Sequence, residues 1–271
     1  GLATSTAISL LLIFYSLHIL TYDQFHEDSE RTYFMYRDRP TEDGRMTVWD
    51  TWFPLLDAAC EALPEIEDGT RITGTFPRPL GHGENHFEES MMMVDSNFFT
   101  TFDYQLKHGG PTKVLDDPEN IVISETLAEK HFGDQDPLGE TIIFGYDQGE
   151  YTVSGVFSDV PPNSSFQFDA VIPLSKSLSF VRNAGWRGTF SFTFFKLKEG
   201  ADGTALPSKL TDIMQSHVSE AEKGNILIMP LHEYYDGQTG QQKYGYILLA
   251  VAFGILLLAC INFTGTGYFH C

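Results

Sequence analysis

Basic residues are scarce in this chain. Its 271 residues include 17 Lys and Arg against 37 Asp and Glu, which gives a formal net charge of −20. A surface this acidic repels phosphate backbones, so the composition argues against nucleic-acid binding. Cysteine is scarce as well, and three cysteines are too few for a disulfide framework. Disorder is excluded on other grounds, because 42% hydrophobic and 14% aromatic residues are enough to build a core.

Charge of either sign is missing from both ends of the chain, because every Asp, Glu, Lys and Arg lies between Asp23 and Lys243. Each end contains an apolar run, residues 1–21 and 244–264, close to the roughly 20 residues that a helix needs to cross a bilayer. A signal peptide is the alternative for the first run, and a buried core helix for the second. The first run lacks a basic amino end and a cleavage site, and the second has no proline. We therefore predict two transmembrane helices.

The section between these runs contains short strand and helix patterns in small groups, without a sustained βαβ repeat. This order predicts an α+β fold with mixed sheets, arranged in two subdomains. Residues 50–63 carry apolar side chains at helical spacing, with Asp50 as the expected cap and Cys60 as a small core residue. Ser124 and Gly133 are expected to begin and end a further helix.

The strand patterns are short and are separated by turn residues. The expected strands lie at residues 31–39, 70–76, 87–94, 121–123, 141–144, 151–157, 190–198 and 226–229. Gly155 lies inside one of them and predicts a bulge or a close approach of two backbones. Glu84 and Gln148 are expected to be exposed loop residues, suitable for labelling from outside the cell.

A search for catalytic patterns gives no candidate. The chain has neither the G-x-x-x-x-G-K-[ST] loop of ATPases nor the G-x-S-x-G turn of hydrolases. His82 and His86 could ligate a metal, but HExxH sites need a helix, and the neighbouring glycines predict an exposed loop. No carboxylate pair stands out for hydrolysis. The residues themselves therefore predict a non-catalytic, membrane-tethered module without a metal or other cofactor.

Several segments, taken in order, are similar to a known family. They are YDQFH at 22–26, SERTY at 29–33, ISETLAEKHFG at 123–133, DPLG at 136–139, YTVSGVF at 151–157, PNSSFQFD at 162–169, LKEGAD at 197–202 and LLLACINF at 256–263. Together they resemble the MacB-like periplasmic core domain, with its flanking helices, of MacB/FtsX-type ABC transporter permeases. The residues that carry the resemblance most clearly are Tyr22, Asp23, Phe25, His26, Arg31, Gly133, Pro137, Gly139, Gly155, Asn163, Ser164, Phe168 and Asn262.

The resemblance implies an architecture for the whole chain. A porter-like subdomain would be built from residues 22–100 and 188–243, with a sabre-like subdomain, 101–187, inserted between them. The chain would be a multi-pass protein of the cytoplasmic (inner) membrane, with its large domain in the periplasm. Its partners would be a separate cytoplasmic ABC ATPase, a second permease copy or paired half, and membrane lipid. Residues 265–271 do not resemble the family's continuation, and together with Gly1 in place of Met they predict a fragment.

Three functions remain open at this point. The leading one is the permease of an exporter, or part of it, which couples ATP-driven motion to work outside the membrane. A two-span sensor with a ligand-binding outer domain is the alternative, and a tethered hydrolase is a third. In a permease the joints at residues 20–25 and 241–246 would transmit force and should be stiff. The first joint lacks Gly and Pro, which predicts a helix that continues beyond the membrane, whereas Gly240 predicts that the second helix starts near Gln241.

Overall fold

Seven α-helices are present in the computed structural model, which describes residues 2–41, 44–83, 85–145, 149–177, 185–219 and 224–267. Their bounds are α1 Leu2–Leu20, α2 Phe53–Ala62, α3 Phe98–Thr101, α4 Glu125–Phe132, α5 Leu206–Gln215, α6 Leu231–Thr239 and α7 Gln242–Gly267. The helices α1 and α7 are both long and apolar enough to cross a membrane, and little of either is buried inside the protein. Glu84, Gln148 and residues 268–271 lie outside the described part.

Thirteen strands lie between α1 and α7, with two short 3₁₀ turns at Leu174–Ser177 and Gly185–Arg187. The strands are β1 Thr32–Thr41, β2 Gly44–Val48, β3 Thr51–Trp52, β4 Ile66–Ile72, β5 Phe76–His82, β6 Asn85–Val94, β7 Leu106–His108, β8 Asn120–Ser124, β9 Thr141–Phe144, β10 Glu150–Phe157, β11 Ala170–Pro173, β12 Thr189–Leu197 and β13 Asn225–Pro230. The mixture of helices and strands confirms the expected α+β class.

Six of these strands close into a ring. Its order is β11-β8-β10-β9-β5-β6, and β11 closes it by pairing in parallel with β6. Helix α4 packs against the ring through Leu127 and Phe132, which share a core with the side chains of the strands. The ring core also contains Leu80, Met91, Ile121, Ile123, Ile142, Tyr151, Val153, Val156, Ala170 and Ile172.

The other four main strands form an open antiparallel sheet in the order β4-β12-β1-β13, which meets the ring through the pair Ile72–Val94. One face of this sheet is covered by α2 and α5, which share an apolar core with it. The opposite face packs on α3, α6 and ring residues in an aromatic core that includes Phe34, Phe102, Phe166 and Phe194. Phe194 and Phe195 point to opposite faces and both are fully buried, so β12 has two buried faces.

Helix α4 and its surroundings form as the sequence predicts. The Ser124 side chain accepts a hydrogen bond from the Leu127 amide, and Gly133 ends the helix at a φ of +60°. The register of β10 against β8 shifts next to Gly155, which confirms the expected bulge. A Cβ atom at Gly155 would lie 2.8 Å from Val114 Cγ1, so this glycine also permits a close approach.

Two expectations for α2 are wrong. The helix begins after Trp52 and gains no cap from Asp50, whose carboxylate instead accepts hydrogen bonds from Arg37 and Thr189. Cys60 is exposed, because the buried stripe of α2 is narrow and ends one position earlier at Ala59.

The segment around His82 and His86, expected to be an exposed loop, belongs to a β-hairpin, in which β5 pairs with β6 from Phe76 to His82. Pro77 and Pro79 are tolerated in β5 because its second neighbour, β9, pairs only further along, at Leu80 and Gly81. The ring thereby gains β5, which was not among the strands expected from the sequence.

Candidate functional site at the junction of the first helix and the domain

The polypeptide turns sharply where it leaves the first apolar helix. Helix α1 ends at Leu20 and residues 21–25 form turns, so the expected continuation of the helix beyond the membrane is wrong. Asp23 has a φ of +56°, and it is the one residue other than glycine with a positive φ in the described part of the chain. Asp accepts this left-handed conformation better than most residues. The helix end therefore passes into a fixed, tight turn.

A distant loop holds this turn through Asn163. The Asn163 side-chain amide donates to the Thr21 carbonyl oxygen at 2.8 Å and to Thr21 Oγ1 at 3.2 Å. In return, the Asp23 backbone amide donates to the Asn163 carbonyl oxygen at 2.9 Å. Hydrogen bonds in both directions tie the end of α1 to residues far along the chain. We call this contact region, made of residues 21–26 and 163–165 with Tyr235, the junction.

The Asp23 carboxylate completes the attachment from inside the protein. Its Oδ1 accepts a 2.8 Å hydrogen bond from the Ser165 amide, and its Oδ2 accepts a hydrogen bond from Ser165 Oγ. Asp23 is only 1% exposed. Burial raises its pKa to about 6. Hydrogen bonds from Ser165 and Ser164 act in the opposite direction and lower the pKa, and no cation contributes to this lowering among the described residues. The junction thus contains a carboxylate that is hydrogen-bonded, and no cation of the described residues forms an ion pair with it.

His26 is the second buried titratable group of the junction. Its Nδ1 accepts a 3.1 Å hydrogen bond from the Asp103 backbone amide, so the ring is neutral with its proton on Nε2. Nε2 is buried and has no hydrogen-bond partner among the described residues. Burial, with a smaller effect from Lys196, lowers the pKa of His26 to about 3. The imidazole therefore stays uncharged over the ordinary pH range.

Aromatic side chains surround these polar contacts. Tyr104 donates to or accepts from Ser164 through a 3.0 Å hydroxyl contact, and burial raises the pKa of Tyr104. Its ring lies edge-on to His26 at 5.0 Å and to Phe168 at 5.1 Å, measured between ring centroids. Phe25 packs against His26 at 4.0 Å. The wall of rings excludes water from the hydrogen bonds, which strengthens them.

The second apolar helix reaches the same place. Gly240 adopts a left-handed φ of +63° at the end of α6, and α7 begins at Gln242, which confirms the start expected near Gln241. Tyr22 stacks on Tyr235 of α6 with the ring centroids 3.6 Å apart and the planes 11° from parallel. Tyr235 in turn donates to Gln241 Oε1 at 3.1 Å. Both apolar helices are therefore anchored in one cluster of side chains.

Comparisons with known proteins agree with this architecture. The family model for the MacB-like periplasmic core domain matches residues 1–213. The chain belongs to this family. No curated protein matches the chain.

Three solved structures show the same fold. One is a domain of a protein described as a permease from Porphyromonas gingivalis, with a TM-score of 0.63 and 22% identity over 76% of this chain and 91% of that one. The periplasmic region of MacB from Actinobacillus actinomycetemcomitans matches with a TM-score of 0.56 and 17% identity, over 78% of this chain and 94% of that one. The extracellular domain of the noncanonic ABC-type transporter YknZ from Gram-positive bacteria matches with a TM-score of 0.53 and 12% identity, over 73% of this chain and 99% of that one.

The residues expected to carry the MacB-like resemblance fall into groups. Tyr22, Asp23, Phe25, His26, Asn163 and Ser164 lie in the junction, with Phe168 in the adjoining aromatic wall. Gly155 lies in β10 of the ring, and Gly133, Pro137 and Gly139 lie beside the ring in the connection from α4 to β9, where Gly139 has a φ of +81° and its amide donates to the Val153 carbonyl oxygen at 2.8 Å. Asn262 lies in the last turns of α7. The structure thus brings seven of them together and leaves the others in or beside the ring, in α7 and in a separate ion-pair network.

Arg31 is the centre of that network, just after the junction. Its guanidinium donates to Asp28 at 2.8 Å, to Glu67, and to the Leu197 carbonyl oxygen at 2.8 Å. Lys196 Nζ reaches Asp28 from β12 at 2.8 Å. These bonds fix the segment that leads into β1 against β4 and β12, so the junction is attached to the open sheet as well as to the distant loop.

Sequence reasoning missed the roles of Ser165 and Tyr235. Ser165 lies inside the PNSSFQFD segment but was not singled out, and its contact with Asp23 spans 142 positions of the chain. Nothing local in the sequence marks Tyr235 as the stacking partner of Tyr22.

Two surface clefts of about 300 Å³ each lie among the residues of the MacB-like domain that the structure describes. In the first, both carboxylate oxygens of Asp159 accept hydrogen bonds from Thr126, so they serve the structure of the helix start. The second lies beside Arg31, whose donors are already used by the ion-pair network. Over the described residues, no group of three or more His, Cys, Asp or Glu side chains is placed to hold a metal ion.

Proposed function

We propose that this chain is part of the permease of an ABC-type exporter, and that its periplasmic domain converts ATP-driven motion into work outside the membrane. The observation that carries the proposal is the junction. Partly buried hydrogen bonds fix the end of α1 to the domain, and the Tyr22–Tyr235 stack, with the hydrogen bond from Tyr235 to Gln241, connects it to the start of α7. A domain that is only anchored to the membrane could be joined to its helices by flexible linkers. A fixed connection is what the transmission of force requires.

In this proposal α1 and α7 cross the cytoplasmic membrane and the acidic domain lies in the periplasm. The chain is non-catalytic, and a separate cytoplasmic ATPase supplies the energy. The permease would work as a homodimer or with a paired half, in contact with lipid. The porter-like and sabre-like parts correspond to the open sheet and the ring. Strand pairing favours placing residues 76–94 in the sabre-like part, because β5 pairs with β9 and β6 pairs with β11.

The partner is tested by purifying the full-length protein from its native membranes in a mild detergent. We expect a separate subunit with an ATP-binding loop to co-purify and to hydrolyse ATP, while the permease alone binds no ATP at micromolar concentration. Recovery of a kinase or cyclase domain, on the same chain or a bound one, would instead favour the two-span sensor.

Mechanical coupling is tested with a flexible Gly/Ser insert between Tyr22 and Asp23. The insert should abolish export while ATPase assembly persists, because the ATPase contacts lie on the other side of the membrane. The same insert between Glu199 and Gly200, both exposed and away from the junction, is the matched control and should be tolerated. Normal export with the insert at the junction would end the mechanical proposal.

A further inference from the structure

The two apolar helices pack on each other through small side chains. In α1 the fully buried positions are Ser9 and Ser16, seven residues apart, followed by Ile19. Over residues 242–263 of α7 the buried positions are Gly245, Ala252 and Ala259, also at steps of seven. A seven-residue repeat keeps one face of a helix turned to its partner over its whole length. We call this contact surface the seam.

The seam is close and antiparallel. A Cβ atom placed on Gly245, near the start of α7, would lie 3.1 Å from Leu20 Cγ and 3.5 Å from Ile19 Cγ2, at the end of α1. Small residues at such a surface allow the two backbones to approach closely and to gain packing energy in lipid. By contrast, large apolar side chains of both helices face outward, among them Phe14, Phe253 and Leu257.

We propose that α1, α7 and the junction form one rigid strut, so that the two helices move together and do not act as independent levers. The proposal rests on the exporter function above. It adds that stiffness resides in the helix pair, since α1 ends at Leu20 and cannot transmit force as a continuous rod. The junction closes the outer end of the strut, because the Tyr22–Tyr235 stack joins the two helices directly beyond the seam.

The first test locks the seam with a disulfide. Leu20→Cys with Gly245→Cys places the two sulfurs in reach of each other, and it removes the leucine atoms that a side chain at 245 would meet. Cys60, Cys260 and Cys271 are replaced by Ala. The full-length permease and its ATPase are placed in nanodiscs with acceptor-labelled lipid. A donor dye is attached to a genetically encoded azide side chain at Met46, which is exposed on β2.

Energy transfer from position 46 to the lipid reports the height and tilt of the domain during ATP turnover. In a strut, the oxidised double variant should keep at least 80% of the ATP-dependent change that the reduced form shows. A loss of more than half of that change on oxidation, reversed by reductant, would show that the helices must move past each other, and the strut would be rejected. The two single cysteine variants control for effects of the oxidant.

The second test wedges the seam open. Ala252→Leu adds bulk at a fully buried position, and Ala250→Leu makes the same change two residues away on the exposed face of α7. The strut predicts that the buried variant loses more than half of the ATP-dependent change and the exposed variant loses none. Equal behaviour of the two variants would contradict it.

Failure of the exporter proposal has a different signature. If the unmodified permease with its ATPase shows no ATP-dependent change in energy transfer, no motion reaches the domain and the proposed function falls, and with it the strut. If the unmodified protein shows the change and the locked or wedged variants behave contrary to expectation, the strut alone is wrong.

Discussion

At the scale of single residues, the junction contains the buried carboxylate of Asp23, and the folded protein is more stable when this group is protonated. The pKa of Asp23 is about 6, above its ordinary 3.8, so the folded protein binds this proton more tightly than the unfolded chain does. The corresponding stability is fully present below pH 3.8 and is lost as the pH rises through about 6. At neutral pH the buried charge is therefore a cost to the fold.

Asp23→Asn should remove that cost. The amide keeps an oxygen for the Ser165 backbone N–H, can donate to Ser165 Oγ, and tolerates the left-handed backbone. We expect the variant to be more stable than the parent at pH 7.5 by about 1–3 kcal/mol, and to show little gain at pH 4. Thermal unfolding in detergent at both pH values measures this. A variant that is less stable at pH 7.5 would mean that the ionised carboxylate is itself favourable.

His26 has the opposite dependence. Its pKa of about 3 lies below the ordinary 6.5, so its contribution is fully present above pH 6.5 and is lost as the pH falls towards 3. Between about pH 4 and 6 the effects of Asp23 and His26 have opposite sign and similar slope. His26→Gln, which can still accept from the Asp103 amide, should therefore make the protein more stable in acid relative to neutral pH. Unfolding midpoints at pH 4.5 and 7 that shift equally would argue against this assignment.

At the scale of elements, the bulge in β10 depends on the absence of a side chain at Gly155. A Cβ atom there would lie 2.8 Å from Val114 Cγ1 and 3.0 Å from the His108 carbonyl oxygen. We expect Gly155→Ala to destabilise the domain by about 1–3 kcal/mol, because the backbone oxygen cannot move aside easily. Gly110→Ala is the matched control, since nothing lies within 4 Å of that position. Urea unfolding of both variants gives the comparison.

Elements with local signals could be predicted from the sequence, and elements defined by partners could not. Ser124, the apolar face of α4 and Gly133 all lie within ten positions, so the whole helix was predictable with its ends. Strand β5 was not predictable, because Pro77 and Pro79 are typical of a loop. They fit in a strand here only because β9 pairs with β5 at Leu80 and Gly81 and not at the prolines. The end of α1 was missed for the same reason: its turn at Asp23 is stabilised by residues 163–165, which no local pattern connects to it.

At the scale of the whole molecule, the proposed topology places every charged residue outside the cytoplasmic membrane. Met46→Cys and Leu138→Cys introduce thiols at exposed positions of the open-sheet hairpin and the ring. In a background without Cys60, Cys260 and Cys271, both thiols should react with a membrane-impermeant maleimide in intact spheroplasts. Labelling of both only after lysis would reverse the orientation.

The family membership and the α+β class were within reach of the sequence, since the matching segments extend along nearly the whole chain. The candidate site was within reach only in part. Six junction residues and Phe168 belong to those segments, but their convergence is a property of the fold, because the two halves of the junction are 142 positions apart. Sequence similarity marked the residues, and geometry showed that they form one attachment.

The long separation between the two halves of the junction also sets an order of events during synthesis. When the first helix leaves the ribosome, the asparagine and serine that will hold its outer end are still 142 residues away. At about 5–20 residues per second, they follow roughly 7–30 s later. In the proposed topology, the first helix would lie in the bilayer through that interval with its outer end not yet bound to the domain. In that topology, periplasmic proteases would encounter the protein before its first helix is attached, and a chain that stalls before residue 163 would remain in this state.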